Sequence, residues 1–292
     1  MQTEYFIALL ALSLFMKRLL FICILLSGFF TQYNLFGQRL TRAQVYDTIK
    51  EMPSFSVYQD NYFLSGVPTN KDINKNTADI KYQISFKQLV TRASLPLNSY
   101  LFVTYSQKAF WDVYSKSSPF AEINFNPGVG LGKPVFNKEG KIFGLAELKF
   151  EHESNGRDSL ESRSWNRITG VFNTPLGRRT ILTVKAWVPI AYTENHPDIL
   201  DYVGLGEIKV EQTIINNRLI ADLTVRKGLK GLKGAASTRV FYKLFNNSGN
   251  QYLMLEWFAG YSESLIDYNK YTSMVRLGYV IKSSDLDMLK TR

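Results

Sequence analysis

Repeated alternation of polar and apolar residues constrains the fold of this chain more than any other feature of its sequence. Residues 182–188 read Leu-Thr-Val-Lys-Ala-Trp-Val, and residues 274–281 read Met-Val-Arg-Leu-Gly-Tyr-Val-Ile. Because successive side chains of a β-strand point to opposite faces, such segments predict strands with one apolar and one polar face. Twelve segments are interpreted as strands, at residues 56–65, 79–90, 98–111, 121–131, 142–154, 163–173, 179–190, 203–214, 218–227, 235–245, 251–262 and 272–281.

The part of the chain after residue 38 has no apolar run long enough for a membrane-spanning helix, which needs about 18 residues. Strands of alternating polarity can still cross a membrane, because a closed barrel pairs every backbone group. An even strand number is typical of bacterial single-chain barrels, and the 17 Tyr and 20 Phe residues suit aromatic girdles. We therefore predict an all-β fold, a 12-stranded antiparallel transmembrane β-barrel. A soluble antiparallel barrel or sandwich is the alternative.

The first 38 residues have the pattern of an export signal. Met16, Lys17 and Arg18 begin a basic stretch, and residues 19–30 form a short apolar run. Residues 1–15 are interpreted as an upstream extension from a mis-set start codon, and an uncleaved signal anchor is the alternative. We predict a signal peptide over 1–38, a short helical lead-in in the periplasm over 39–54, and the barrel over 55–292. Cys23, the one cysteine, lies in the signal, so the exported part has no thiol chemistry.

The charge balance of the chain is strongly basic. The net charge is +10, and removal of residues 1–38, with a net charge of +1, leaves +9. A basic exterior suits anionic lipid or lipopolysaccharide headgroups. Nucleic acid is the other usual partner of such a charge, but the export signal argues against it. The predicted location is the bacterial outer membrane.

A polar segment between two predicted strands holds the candidate catalytic residues. His152 and Ser154 are two residues apart, so in a strand they leave the same face. If residues 156–162 form a hairpin loop, a register that pairs 154 with 164 also pairs 152 with 166. Asn166 then shares a face with His152 and Ser154. A hydroxyl nucleophile, an imidazole base and a group that orients the imidazole are the components of acyl-transfer catalysis.

These candidates extend the apolar face of their strands. Going back from Ser154 by twos gives His152, Phe150 and Leu148, whereas the charged residues Glu153, Glu151, Lys149 and Glu147 lie on the other face. Asn166 likewise shares its face with Ile168. A soluble hydrolase normally places its site in a polar cleft, so we predict a site on the wall that faces lipid.

Four ordered blocks in the chain resemble the outer membrane phospholipase A family of Gram-negative bacteria. Residues 152–157 read His-Glu-Ser-Asn-Gly-Arg and residues 162–167 read Ser-Arg-Ser-Trp-Asn-Arg, which resembles the central signature of that family. The other blocks lie at residues 105–124, 195–199 and 260–269, and the resemblance runs from about residue 79 to 281.

The resemblance implies a 12-stranded barrel that hydrolyses acyl ester bonds of phospholipids and lysophospholipids, needs Ca²⁺ and is active as a homodimer. It implies that Ser154 is the nucleophile, His152 the general base and Asn166 the residue that orients His152. It also implies that the Gly156 backbone N–H stabilises the oxyanion, where a glycine allows close approach of the backbone.

The resemblance also implies the Ca²⁺ ligands and a contact of the dimer. The ligands would be the Ser162 hydroxyl, the Arg157 carbonyl and the carbonyl of the partner's Ser117, all oxygen donors as Ca²⁺ prefers. The carboxylates of Asp158 and Glu161 are an alternative that the sequence leaves open. Gln107 matches a family glutamine at the dimer interface, and a polar amide on a wall that faces lipid favours self-association.

Several other features have plainer interpretations. His196 is predicted to be an ordinary loop residue, and the glycines of residues 128–132 are predicted to belong to a strand and a turn. Five charged residues are predicted to form a network in the barrel interior: Glu147, Lys149, Glu151, Arg163 and Arg167. The alternative function is a catalytically inactive barrel that acts as a pore or structural protein, and a secreted soluble esterase is a third hypothesis.

Overall fold

The computed structural model describes residues 39–92, 94–192, 196–216, 218–245 and 247–290. The predicted signal peptide, residues 1–38, lies outside the described residues and stays a prediction. None of the helices in the described ranges is long and apolar enough to cross a membrane.

The described residues form two α-helices and thirteen β-strands. Helix α1 spans Arg42–Glu51 and helix α2 spans Leu200–Val203. The strands are β1 (Phe55–Ser56), β2 (Asn61–Pro68), β3 (Asp79–Leu89), β4 (Tyr100–Trp111), β5 (Phe120–Phe136), β6 (Ile142–Ser154), β7 (Ser164–Pro175), β8 (Thr180–Ala191), β9 (Gly206–Ile215), β10 (Leu219–Lys227), β11 (Gly234–Tyr242), β12 (Gln251–Gly260) and β13 (Thr272–Ile281).

Strands β2 to β13 close into a twelve-stranded antiparallel barrel. Each strand pairs with the next one along the chain, and β13 pairs with β2 to complete the circle. The two-residue strand β1 adds to β3. The predicted 12-stranded barrel is confirmed, although β2 begins at Asn61 rather than at residue 56 and β5 continues to Phe136.

The glycines of residues 128–132 explain the greater length of β5. All of them lie inside the strand rather than in a turn. A Cβ on Gly130 would lie 2.8 Å from a ring carbon of Phe102, and one on Gly132 would lie 2.3 Å from a ring carbon of Tyr100. Glycine therefore makes room for two aromatic rings of β4, and the turn begins only after Phe136.

The alternation of the sequence becomes an apolar exterior and a polar interior. On β13, Leu277 is 55% exposed and Arg276 is 1% exposed, and β8 shows the same contrast between Val188 and Trp187. Buried charges need partners because their desolvation is costly. The interior charges are accordingly paired: Arg276 contacts Asp79 and Glu263, and Lys81 contacts Glu256 and Glu263.

Helix α1 packs at the end of the barrel that holds the β5–β6 turn. Thr41 and Gln44 form a capping box at its N-terminus, and Val45 and Ile49 pack against a cluster that includes Tyr100. The predicted lead-in helix is thus present. Strand β6 runs from this end to Ser154, so the candidate site lies at the opposite end of the barrel.

Candidate active site

The hairpin of β6 and β7 brings the three candidate catalytic residues to one place. His152 lies opposite Asn166, and Ser154 lies opposite Ser164. This is the register that the sequence predicts. Because a shift of one residue would move every side chain to the other face, the register decides whether the three groups can meet.

The three side chains lie on the outer wall of the barrel. Neighbours of the same parity are exposed, with Leu148 at 57% and Ile168 at 44%, whereas Glu151 at 1% and Arg167 at 6% are buried inside. His152, Ser154 and Asn166 are themselves half-buried. The predicted outward direction of these residues is confirmed.

A hydrogen bond joins the imidazole of His152 to the amide of Asn166. His152 Nδ1 and Asn166 Oδ1 are 2.9 Å apart. An amide oxygen only accepts hydrogen bonds, so this contact requires the proton on Nδ1, and the lone pair of the neutral imidazole is then on Nε2. In the described part of the chain, the Ser154 hydroxyl makes no hydrogen bond with His152. Hydrogen bonds between a catalytic nucleophile and its base are often long in the absence of substrate and shorten when substrate binds.

Gly156 follows Ser154 after one residue and has a backbone conformation that favours glycine. Its φ is +66°, a region in which a side chain meets steric strain. A Cβ there would also lie 2.9 Å from Cε2 of Phe125, the residue of β5 that lies opposite Ser154. The backbone at Gly156 thus approaches Phe125 more closely than any other residue type would allow.

The buried side chain of Asn155 holds the loop between β6 and β7 in shape. Its Oδ1 accepts from the backbone N–H of Arg163 at 2.9 Å and of Arg157 at 3.3 Å, and its Nδ2 donates to the Glu161 carbonyl at 2.9 Å. The sequence analysis missed this residue. The only sequence signal was its place between the candidate nucleophile and a glycine.

Two candidate Ca²⁺ ligands lie in this loop. Ser162 is half-buried and follows a 3₁₀ turn over Ser159–Glu161. The Arg157 guanidinium contacts the Glu161 carboxylate at 2.5 Å and the Glu122 carboxylate at 3.4 Å. The Arg157 guanidinium has no acceptor to offer a cation, so the main-chain carbonyl is the group of this residue that can bind one.

The donor set fits Ca²⁺ by its chemistry. A hydroxyl and main-chain carbonyls are hard oxygen ligands, and Ser117 lies exposed in the β4–β5 turn with a φ of +67°. No group of three or more His, Cys, Asp or Glu residues suited to a metal occurs among the described residues. Both carboxylates of the alternative set, Asp158 and Glu161, are exposed, and that of Glu161 is engaged by Arg157.

The other three blocks that resemble the family are residues 105–124, 195–199 and 260–269, and their described residues come together at the end of the barrel that holds the candidate site. Glu122 and Asn124 of β5 accept hydrogen bonds from the backbone N–H groups of Ile266 and Leu265, each at 3.1 Å. Tyr268 donates to Asp198 at 2.5 Å. These contacts tie the loop after β12 to β5 and to the loop after β8, so the blocks hold the loops around the candidate site.

His196 and Arg163 differ from their predicted surroundings. His196 does lie in a loop, but it is only 2% exposed and its ring packs edge-on against Tyr268. The prediction of an interior network holds for Lys149, Glu151 and Arg167, and it is wrong for Arg163. The Arg163 guanidinium donates to the carbonyls of Leu160 and Ser162 because it lies in the loop, beyond the end of the barrel interior.

Comparisons with known proteins agree with this architecture. A sequence model of the family described as Phospholipase A1 matches residues 39–281. A putative phospholipase A1 of Neisseria meningitidis serogroup B is 31% identical over 220 residues, which are 72% of this chain and 56% of that protein. Phospholipase A1 of Escherichia coli K12 is 31% identical over 219 residues, 73% of this chain and 72% of that protein.

A solved structure is similar in fold. The crystal structure of the Salmonella typhi outer membrane phospholipase, a dimer with bound calcium, has a TM-score of 0.72 and 26% identity. The match covers 84% of this chain and 99% of that chain. The matched region of the family model includes every strand of the barrel and the β6–β7 hairpin. The chain therefore belongs to the phospholipase A1 family, the β-barrel phospholipases of the outer membrane.

Proposed function

We propose that this phospholipase hydrolyses acyl ester bonds of phospholipids and lysophospholipids, at either acyl position, through Ser154, His152 and Asn166, with Ca²⁺ as cofactor and a homodimer as its active form. The observation that carries the proposal is the hydrogen bond between His152 and Asn166 on the outer wall, with Ser154 on the same face. A site on that wall meets lipid esters directly.

In the first half of the proposed reaction, Ser154 Oγ attacks the carbonyl carbon of the ester while His152 Nε2 takes its proton. Asn166 keeps the Nδ1 proton in place, so Nε2 remains the base. The negative charge that develops on the carbonyl oxygen is stabilised by the Gly156 N–H. The intermediate then collapses, the C–O bond to the glycerol breaks, and His152 returns its proton to the leaving alkoxide.

In the second half, water releases the fatty acid from Ser154. His152 Nε2 takes a proton from the water as its oxygen attacks the acyl carbon, and the same oxyanion stabilisation applies. Ser154 leaves with the proton from His152, which restores the starting state. Because Asn166 is neutral, it orients the imidazole but stabilises the imidazolium less than a carboxylate would.

The proposed Ca²⁺ site uses the Ser162 hydroxyl and the Arg157 carbonyl, with the carbonyl of the partner's Ser117. When bound, Ca²⁺ supplies positive charge near the developing oxyanion. Ser162 and Arg157 belong to the loop that Asn155 holds, which also carries Gly156. The cation is therefore proposed to act beside the oxyanion donor.

The proposed dimer contact is the amide of Gln107 on the outer face of β4. Its Oε1 accepts from the Tyr105 hydroxyl at 2.9 Å, which leaves its NH₂ group able to donate to a second copy. Gln107 lies opposite Phe125, and Phe125 in turn lies opposite Ser154. The proposed interface thus lies two strands from the nucleophile.

The interior of the barrel argues against a passive pore. Lys282 at the end of β13 contacts Glu211 of β9 at 3.1 Å, and Lys81 of β3 contacts Glu256 of β12 at 2.8 Å. These ion pairs join strands that are not neighbours, so they reach across the interior. An open channel would need these pairs to separate, at the cost of leaving buried charges without partners.

The nucleophile is tested by the release of fatty acid from phospholipid–detergent micelles with Ca²⁺ present. Ser154→Ala is expected to lower kcat by about 10⁴-fold or more. Ser164→Ala is the matched control, because this hydroxyl lies directly opposite Ser154 on the same outer face, and it is expected to retain most of the activity. The folding of each variant is verified by the gel mobility of a sample that has not been heated. Full activity of Ser154→Ala would rule out the assigned nucleophile.

The role of Ca²⁺ is tested with the same assay in excess chelator. Wild type is expected to lose turnover, and added Ca²⁺ is expected to restore it. Ser162→Ala is expected to need more Ca²⁺ for half-maximal activity, because it lacks one oxygen ligand. Turnover that stays unchanged in chelator would contradict the cofactor assignment while leaving the Ser154 test valid.

A further inference from the structure

The backbone ladders on both sides of the β6–β7 hairpin are interrupted beside His152 and Asn166. On the β5 side, Ser154 pairs with Phe125 and the next pair is Glu151 with Gly128, so His152 and Glu153 have no ladder partner there. Pro127, which has no N–H to donate, lies in that gap. The Asn126 side chain supplies one substitute by donating to the His152 carbonyl at 2.8 Å.

The β8 side shows a second interruption. Asn166 pairs with Ala191, but Arg167 pairs with Pro189, so the register shifts between them. A bulge of this kind bends the strand locally and leaves one residue unpaired. Of the ladders around the two residues, only the one between β6 and β7 is continuous.

Four side chains on the inner face of the hairpin form a cluster that we call the inner clamp: Glu151, Glu153, Trp165 and Arg167. Glu151 and Glu153 are the chain neighbours of His152, and Trp165 and Arg167 are the chain neighbours of Asn166. Each member of the clamp therefore lies directly behind one of the two outward-facing residues.

The inner clamp is connected by short contacts. The Arg167 guanidinium donates to Glu153 at 2.6 Å and to Glu151 at 3.3 Å. The Trp165 indole donates to Glu153 at 3.1 Å. The Arg167 guanidinium also lies 4.4 Å from the centroid of the Trp165 ring, a distance at which a cation and an aromatic face attract each other.

The location of these contacts decides their effect. Arg167 is 6% exposed and Glu151 is 1% exposed, and charged hydrogen bonds in such a low-dielectric interior are strong and costly to break. Since Arg167 bridges both glutamates, it fixes the positions of residues 151 and 153 relative to residue 167. It thereby fixes His152 and Asn166, whose backbones lie between these residues.

We propose that the inner clamp reinforces the β6–β7 ladder, the one ladder that stays continuous beside these two interruptions, and sets the orientation of His152 relative to Asn166, with Arg167 as a positioning residue of the catalytic site. The proposal rests on the proposed function of the triad. Arg167 does not touch substrate, which lies on the other side of the barrel wall. Its effect is on the orientation of the imidazole.

The test compares Arg167→Gln with Arg239→Gln. Arg239 is a matched control because it also makes a buried cross-strand pair inside the barrel, with Nε and Nη2 donating to Asp222 at 3.0 and 2.6 Å. We expect Arg167→Gln to lower kcat by about 10- to 100-fold, since a misplacement near 1 Å has an effect of this size. KM is expected to stay unchanged, and Arg239→Gln is expected to keep wild-type kcat.

Two further measurements distinguish positioning from general loss of stability. Arg167→Lys restores the charge but only as a point donor, so kcat is expected to lie between the values for wild type and Arg167→Gln. The rate at which an alkyl phosphonofluoridate labels Ser154 is expected to fall in parallel with kcat, because labelling requires the same base. Both are measured on protein with the gel mobility of a folded barrel.

The outcomes separate this proposal from the proposed function. Wild-type kcat and labelling in a folded Arg167→Gln variant would overturn the inner clamp, as would an equal loss in Arg239→Gln. If Ser154→Ala remains active, the proposed function itself fails. If Arg167→Gln does not fold, Arg167→Lys and Glu153→Gln decide: a loss of kcat at constant KM supports the clamp, and unchanged kcat in both overturns it.

Discussion

Replacement of Gly156 by alanine is the most informative perturbation of the candidate site, because the chain contains a matched glycine elsewhere. Gly156 and Gly140 have nearly the same backbone conformation, with φ values of +66° and +71°. An alanine in this left-handed region costs about 1–2 kcal/mol. That cost is common to both variants, so it cancels when they are compared.

The two positions differ in what a Cβ would contact. At Gly140 there is nothing within 4 Å, whereas at Gly156 the Cβ would lie 2.9 Å from Phe125 Cε2 and 3.5 Å from Cδ2. A carbon–carbon separation of 2.9 Å is well inside the optimum of about 3.5–4.0 Å. Either the Phe125 ring or the backbone at Gly156 must therefore move by several tenths of an ångström.

If the backbone takes up this movement, the Gly156 N–H turns away from the oxyanion that it is proposed to stabilise. Loss of one oxyanion donor costs about 10²-fold or more in kcat, equivalent to roughly 2.7 kcal/mol or more of transition-state stabilisation. We therefore expect Gly156→Ala to lower kcat by about 10²-fold, and Gly140→Ala to leave kcat unchanged while both variants lose similar stability.

The assay is the initial rate of fatty-acid release from micelles at saturating Ca²⁺, with kcat and KM determined separately. Phe125→Leu in the Gly156→Ala background removes the ring, so it is expected to restore part of the lost kcat. Should Gly156→Ala turn over within twofold of Gly140→Ala, the reasoning that a Cβ at residue 156 displaces the proposed oxyanion donor is wrong.

Two further predictions concern the histidines. Asn166→Ala removes a hydrogen bond to His152 that becomes charge-assisted when the imidazolium forms, worth about 1.5–3 kcal/mol, so kcat is expected to fall about 10- to 100-fold. Asn166→Asp keeps the acceptor and is expected to restore the rate, and equal rates in all three proteins would show that Asn166 does not orient the imidazole. Burial and the nearby positive charge of Arg163 lower the pKa of His196 from its usual value. The unfolded chain then binds the proton more readily, so the stabilising contribution of neutral His196 is present above about pH 6.5 and is lost as the pH falls through the lowered pKa. The melting temperature is measured as the incubation temperature at which half of the folded-barrel band is lost on a gel. It should therefore decrease less between pH 7.5 and pH 5 in His196→Phe than in wild type, and equal decreases would contradict this.

Much of the fold and of the triad geometry was predictable because both depend on the two-residue alternation of side chains along a β-strand. The alternation along β8 and β13 identifies the outer face without knowledge of any partner strand. The same parity places His152, Ser154 and Asn166 together once the hairpin loop between β6 and β7 is assumed. Strand ends were less predictable, as β5 shows, since the glycines of residues 128–132 look like turn residues until the rings of Phe102 and Tyr100 are in place.

The contacts that support the site could not be predicted in this way. Glu122 reaches the backbone of Ile266, and Arg276 reaches Asp79, although each pair is well over a hundred residues apart in the chain. Such pairs depend on which strands become neighbours when the barrel closes and on how the loops fold over its end. The role of Asn155 depends on the path of a loop that has no periodic pattern.

The sequence by itself determined the barrel class, the outward direction of the three catalytic candidates and their register, because strand geometry alternates with a period of two residues. Only the tertiary structure decided which charges meet inside, that Arg163 belongs to the loop, and that the ladders beside His152 and Asn166 are interrupted. These features depend on contacts between side chains that are distant in the chain, and closure of the barrel creates those contacts.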